Sequence, residues 1–161
     1  MIKATELPYE IEKEFLSVLI KLERVGVKID IALGLKKLTE LSSELKPLEK
    51  QIQDSYGIKN VRSWQQIQKA FRERGIFVPS TNKEILTDLA ANGITVANDL
   101  LSYRKKNHTL NTYIIPILDK CDAHSHRLHS TFNQTATLTH RLSSSDPNLQ
   151  NLPRPESGGE E

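Results

Sequence analysis

Between residues 59 and 83, six cations (Lys59, Arg62, Lys69, Arg72, Arg74 and Lys83) are opposed by the single carboxylate of Glu73. Clustered Lys and Arg suit a polyanion, because they neutralise phosphates and displace counterions without reading a base sequence. Ser80, Thr81 and Asn82 stand where a helix should begin, and the N–H groups of a helix start favour phosphate. Arg104, Lys105 and Lys106 form another basic group. On charge alone, the plainer reading is a solvated basic surface with ordinary helix caps. Cys121, His124, His126 and His129 are metal-ligating types, but their spacing is not that of a common zinc module. No metal site and no cofactor is expected in this chain.

The elements that must position these groups read mostly as helices. Leu7, Ile11, Phe15, Val18, Leu19 and Leu22 recur at helical spacing, with Pro8 in the first turn and Gly26 as the stop. Val27–Asp30 is short and extended, and Asp30 can cap the next helix. That helix is long, over Ile31–Tyr56, and carries the stripe Leu38, Leu41, Leu45, Leu48 and Ile52, with Pro47 expected to bend it and Gly57 to close it. Two small helices come next. One covers Trp64–Arg74, between Ser63 and Gly75, with Trp64 expected in the core. The other covers Lys83–Ala91 and ends at Gly93. A second long helix over Val96–Leu118 presents Leu100, Tyr103, Leu110, Tyr113, Ile114 and Ile117, and Pro116 weakens its last turn.

The pattern predicts a mainly α chain: an antiparallel hairpin of long helices, a two-helix tip over 59–93, and short β segments near the C-terminus. The expected divisions are an N-terminal helix over 1–28, the hairpin over 29–122, a strand-and-loop region over 123–153 and a flexible tail over 154–161. Arg127–Gln134 alternates weakly, and Ala136–Leu142 is a second candidate strand. From Ser143 onward the residues are turn formers, with Asp146 before Pro147 read as a turn residue. Residues 143–161 are expected to be poorly ordered.

The 161 residues suffice for one domain with a real core. The net charge of +2 conceals a basic middle: residues 59–145 carry twelve Lys/Arg against six Asp/Glu. The N-terminus lacks an apolar signal core and there is no long apolar run, so neither export nor membrane insertion is expected. With the single Cys121 there is no internal disulfide, which suits a reducing, cytoplasmic setting.

Phe132-Asn-Gln-Thr-Ala-Thr-Leu-Thr-His-Arg-Leu-Ser-Ser-Ser-Asp-Pro-Asn-Leu-Gln-Asn-Leu-Pro153 resembles the block that precedes the first catalytic aspartate in family A DNA polymerases. Leu22-Glu-Arg-Val-Gly-Val-Lys-Ile-Asp30 is similar to the family's lead into the thumb, Pro79-Ser-Thr-Asn-Lys-Glu-Ile-Leu86 to its thumb tip, and Tyr103-Arg104 with Thr112-Tyr113 to its second long thumb helix. Arg127-Leu-His129 resembles the strand returning to the palm. The likeness covers about residues 7 to 158. His140 departs from it, replacing the usual glycine. His108 departs too, standing near a common lysine, and Arg154 follows Pro153 one residue early.

The resemblance implies a thumb that binds primer–template DNA in replication or repair, in a bacterial or phage-like cytoplasm. It implies a minor-groove contact for Arg141, whose donors would test pair geometry without reading sequence. It also implies DNA contacts for Asn148, Gln150 and Arg154. The charge pattern adds the tip residues Lys69, Arg72, Arg74, Ser80, Thr81, Asn82 and Lys83, which could track a duplex backbone without sequence preference, with Arg104 and Lys105 as a further basic group. For Asn151, holding the loop is an equally good role. The family's chemistry uses two Mg²⁺ ions roughly 3.5–4 Å apart on carboxylates, and the resemblance places those aspartates beyond residue 161. No catalytic residue is therefore expected here. The segment is expected to be inactive alone and to need palm and fingers, which a separate polypeptide could supply. The alternative is a stand-alone DNA-binding or helical protein-interaction module derived from a thumb.

Overall fold

In the computed structural model, residues 6–134, 136–137 and 141–152 are described. The element order is α1 (Glu6–Val25), β1 (Val27–Lys28), α2 (Ile31–Tyr56), α3 (Trp64–Arg72), α4 (Lys83–Ala91), α5 (Thr95–His108), a π-helical stretch (Thr109–Ile114), α6 (Ile115–Lys120), β2 (Arg127–Leu128), β3 (Thr131–Asn133) and β4 (Ser143–Ser145). The chain is mainly α, as the periodicity predicts. It divides into two compact units, Met1–Gly34 with Pro116–Glu161, and Leu35–Ile115.

The second unit is the helical hairpin with its tip. From Leu35 onward α2 runs antiparallel to α5, as two cross-pairs fix. Gln51 Nε2 donates to Asp99 Oδ2 at 2.9 Å, and Lys106 Nζ lies 2.7 Å from Glu44 Oε2 seven residues back along the one helix and on along the other. Between them the expected stripes meet: Leu45 and Ile52 are buried with Leu100, Tyr103 and Leu110, and Leu38, Leu41 and Leu48 pack against them. The tip closes this core with Ile58, Val61, Ile67, Ala70, Phe71, Val78 and Leu86. Ser63 caps α3 by accepting from the Gln66 N–H, and Asn82 caps α4 by accepting from the Ile85 N–H.

The second long helix differs from the sequence expectation. It changes to π geometry over Thr109–Ile114, where the Ile115 N–H bonds back five residues to the Leu110 carbonyl. Pro116 supplies the reason. It has no N–H for the Thr112 carbonyl four residues earlier, and its ring would crowd that carbonyl in an α-helix. The helix also runs on to Lys120 rather than ending at Leu118.

In the first unit, Asp30 caps α2 by accepting from the Leu33 N–H at 2.9 Å. β1 pairs antiparallel with β2, Val27 opposite Leu128 and Lys28 opposite Arg127. The turn before β1 requires Gly26. Its φ is +64°, and a Cβ there would lie 2.8 Å from the Leu128 carbonyl oxygen and 2.9 Å from the His129 ring. Arg127 donates to the Val25 and Gly26 carbonyls, and Glu23 accepts from the Phe132 N–H. Among the described side chains of the α1 stripe only Leu19 is fully buried, while Ile11, Phe15, Val18 and Leu22 stay exposed. These short strands are too small to cover the helix.

The second candidate strand, over Ala136–Leu142, falls partly on residues 138–140, which with Thr135 lie outside the described residues. The partner of β3 is β4, with Phe132 opposite Ser144. Of residues 143–161, expected to be poorly ordered, 143–152 instead take defined structure, and 153–161 lie outside the described residues. Ser144 in this stretch and Ser130 before β3 are buried, and their hydroxyls satisfy backbone groups that a larger apolar residue would leave bare.

Before β2, Asp122 accepts from the Ser125 N–H and hydroxyl and from the His124 N–H. The Ser125 backbone bond, then its hydroxyl, hold the Asp122 carboxyl below its ordinary value. A depressed carboxylate stabilises above its unfolded pKa and loses that contribution as pH falls through the folded value. Protection of the Ser125 amide from exchange, relative to the unfolded chain, is therefore expected to fall in acid below the usual carboxylate range, and Asp122→Asn should remove that pH dependence.

Candidate nucleic-acid interface

The cations of the tip divide by what they touch. Arg74 folds back onto the tip. Its Nη2 donates to the Ser55 carbonyl at 2.8 Å, its Nη1 to the carbonyls of Tyr56 and Ala70, and its guanidinium lies 4.2 Å from the centroid of the Tyr56 ring. It ties the end of α2 to the end of α3. Arg104 donates to the carbonyl and hydroxyl oxygens of Thr81, and burial pushes its pKa down. Thr81 is itself buried, so it faces Arg104. Arg62 reaches Asn107 at 3.1 Å, and a hydrogen bond to Tyr103 raises its pKa.

Arg62 and Arg74 are exposed despite these bonds, and Lys69, Arg72 and Lys83 are exposed as well. Lys69 Nζ lies 3.8 Å from the Glu73 carboxylate, with both side chains largely in solvent. Such a pair contributes little and leaves the charge available. Lys59, also exposed, lines with Gln66, Lys69 and Glu73 a shallow groove of about 300 Å³ beside α3. Lys105 is exposed on α5. At the start of α4, Asn82 spends its carbonyl oxygen on the Ile85 N–H, and the Asn82 N–H donates to Ser80 Oγ. Of the predicted tip residues, the structure thus sets Lys69, Arg72 and Lys83 outward, and uses Arg74, Thr81, Asn82 and Arg104 in holding the tip together.

In the first unit, the loop after β4 is built on two serines. Ser130 Oγ bonds to the carbonyls of Ser145 and Pro147. Ser144 Oγ donates to Asn148 Oδ1 and accepts from the N–H groups of Leu149 and Gln150. Asn148 Oδ1 also accepts from the N–H groups of Gln150 and Asn151. The Asn148 oxygen therefore holds the loop, while the Gln150 and Arg141 side chains are exposed. Arg141 stands two residues before β4, and its carbonyl accepts from the Thr137 hydroxyl. Arg154 and His140 lie outside the described residues.

Two features were not read from the sequence. Trp64, expected in the core, is 56% exposed. It opens α3, and the buried face of that helix is made one turn further on by Ile67, Ala70 and Phe71. The serine framework was hidden because Ser-Ser-Ser145 carries no apolar pattern.

The donor types that would hold a metal are not gathered. Among the described residues no group of three or more His, Cys, Asp or Glu could do so, and His129 Nδ1 is occupied by the Glu23 carbonyl at 2.7 Å. Among the described residues no helix is long and apolar enough to cross a membrane.

The chain belongs to DNA polymerase family A, whose family model matches residues 34–161. Among curated relatives, DNA polymerase I, thermostable, of Thermus thermophilus is 36% identical over 156 residues, covering 89% of this chain and 18% of its own. DNA polymerase I of Helicobacter pylori is 36% identical over 156 residues, 91% of this chain and 17% of its own. That of Bacillus subtilis is 35% identical over 158, 92% and 18%. The chain thus spans a little under a fifth of the length of these relatives. The solved POL domain of Pol1 from M. smegmatis, in complex with DNA primer-template and dNTP, matches at a TM-score of 0.74 with 26% identity, over 84% of this chain and 25% of that one.

Proposed function

We propose that this chain is the thumb and the start of the palm of a family A DNA polymerase, and that its tip grips primer–template duplex during replication or repair. The observation that carries the reading is the division of the tip's cations: Lys69, Arg72 and Lys83 point to solvent on a frame that Arg74 and Arg104 hold rigid. Exposed cations on a fixed frame meet phosphates without the ordering cost of a floppy basic loop. The solved relative bound to primer-template supports the same reading. Lys105 and Ser80 extend the phosphate-facing surface.

The loop after β4 is the second contact. Asn148 sets its shape, and Arg141, Gln150 and Arg154 meet the duplex near the primer end. Arg141 would donate to the minor-groove acceptors common to every correct pair. Polymerase chemistry, with its Mg²⁺ ions, falls to carboxylates outside this sequence, so the segment grips DNA and does not extend it. The test is titration of two fluorescent primer–template duplexes of unrelated sequence at low salt. Equal affinities for the two are expected, and failure to bind either would overturn the proposal.

A further inference from the structure

Trp64 is the only tryptophan of the chain, and it stands in solvent, 56% exposed, at the first position of the helix that carries Lys69 and Arg72. The tip's core does not need it, since Ile67 and Phe71 close that core at 0% and 1% exposure. One helical turn on, at the i+4 position beside Trp64, Gln68 Nε2 is pinned to the carbonyls of Val78 and Pro79 at 3.1 and 3.0 Å. The indole therefore lies on the side of α3 that meets the segment leading to Lys83. A large flat apolar group with one N–H donor, left in water among exposed cations, is complementary to a surface both apolar and anionic. The sugar–phosphate wall of a nucleic-acid duplex is such a surface: deoxyribose faces offer apolar contact, and phosphate oxygens accept from the indole Nε1–H.

We infer that Trp64 is a duplex-contacting residue of the tip, its indole packed against deoxyribose while the flanking cations meet the phosphates. This rests on the duplex reading above and adds to it an apolar contact, insensitive to salt, beside the electrostatic ones. No base is unstacked, so the contact carries no sequence preference.

The single tryptophan reports on itself. With the whole chain, indole emission and its quenching by acrylamide are followed during titration with unlabelled primer–template, in parallel with anisotropy of a labelled duplex. Emission is expected to change with the same midpoint as anisotropy, acrylamide quenching to fall, and both to reverse on adding salt. Trp64→Ala should weaken binding about tenfold and Trp64→Phe by less than about threefold, with unchanged circular dichroism in both. If anisotropy saturates while emission and quenching stay constant, Trp64 is off the interface. The inference then falls, and the duplex reading stands. If anisotropy does not change at all, both fall. Emission that changes on concentrating the protein without DNA would assign the indole to a second copy of the chain and overturn the inference.

Discussion

Phe71→Ala is expected to lower stability by about 3–5 kcal/mol, the usual cost of emptying a fully buried aromatic site. Phe71 is 1% exposed, among the buried side chains of Ile52, Ile58, Val61, Ile67 and Leu86, and its ring centroid is 6.0 Å from that of Tyr56. The tip is built of two helices of only nine residues each, so little can collapse into the space left behind. Tyr56 also carries the Arg74 guanidinium, so the loss spreads to the bond between α2 and α3. Against a typical domain stability of about 5–15 kcal/mol, urea unfolding followed by circular dichroism should show a large fall in midpoint. Phe77→Ala is the matched control. That ring is 77% exposed, and its removal should change stability by no more than about 0.5 kcal/mol.

Replacing Lys69, Arg72 and Lys83 together by alanine is expected to weaken duplex binding at low salt by about 10- to 100-fold, taking each exposed phosphate contact at about 0.5–1 kcal/mol. Folding should be nearly untouched, because the Lys69 ion pair that is lost, with Glu73, is solvent-exposed. Arg104→Ala should do the reverse. It strips two hydrogen bonds from Thr81, and leaving that buried residue unsatisfied costs about 1–3 kcal/mol of stability. Lysine cannot restore the planar fork, so Arg104→Lys should recover little. Thermal denaturation beside anisotropy titration separates the two classes. Equal effects of the triple variant and Arg104→Ala on binding at a temperature where both are folded would contradict the division.

The hairpin was legible because its information is periodic. The leucines of α2 and the apolar residues of α5 repeat at helical spacing, and the first four helices are each followed by a glycine that takes positive φ: Gly26, Gly57, Gly75 and Gly93. Capping was legible for the same local reason, with Asp30, Ser63 and Asn82 each placed before its helix. What escaped reading was decided by partners distant in sequence. Nothing near Arg74 announces that it will meet carbonyls of Ser55 and Tyr56, or near Arg104 that it will meet Thr81. Counting both as phosphate ligands came from charge and position in the chain alone. The serines of β4 pair with β3 through the backbone and are fastened by hydroxyl bonds to Ser130 and Asn148, not by apolar alternation, so the period that reveals strands is missing there. Trp64 misled because a tryptophan on the buried side of a short helix is core in most settings, and the exposure at the first turn depends on where the helix begins relative to its neighbours. The π-helical stretch was partly signalled by Pro116, which marks a disturbed turn without specifying how the helix absorbs it.

The claim that the tip is an electrostatic grip on duplex DNA is tested most directly by the salt dependence of binding. Each phosphate contact contributes about −0.9 to the slope of log affinity against log salt. The account predicts that the Lys69/Arg72/Lys83→Ala variant has a slope shallower than that of the parent chain by about 2.7, from three contacts of that size. An unchanged slope, with both proteins folded, would contradict it and remove the tip from the DNA.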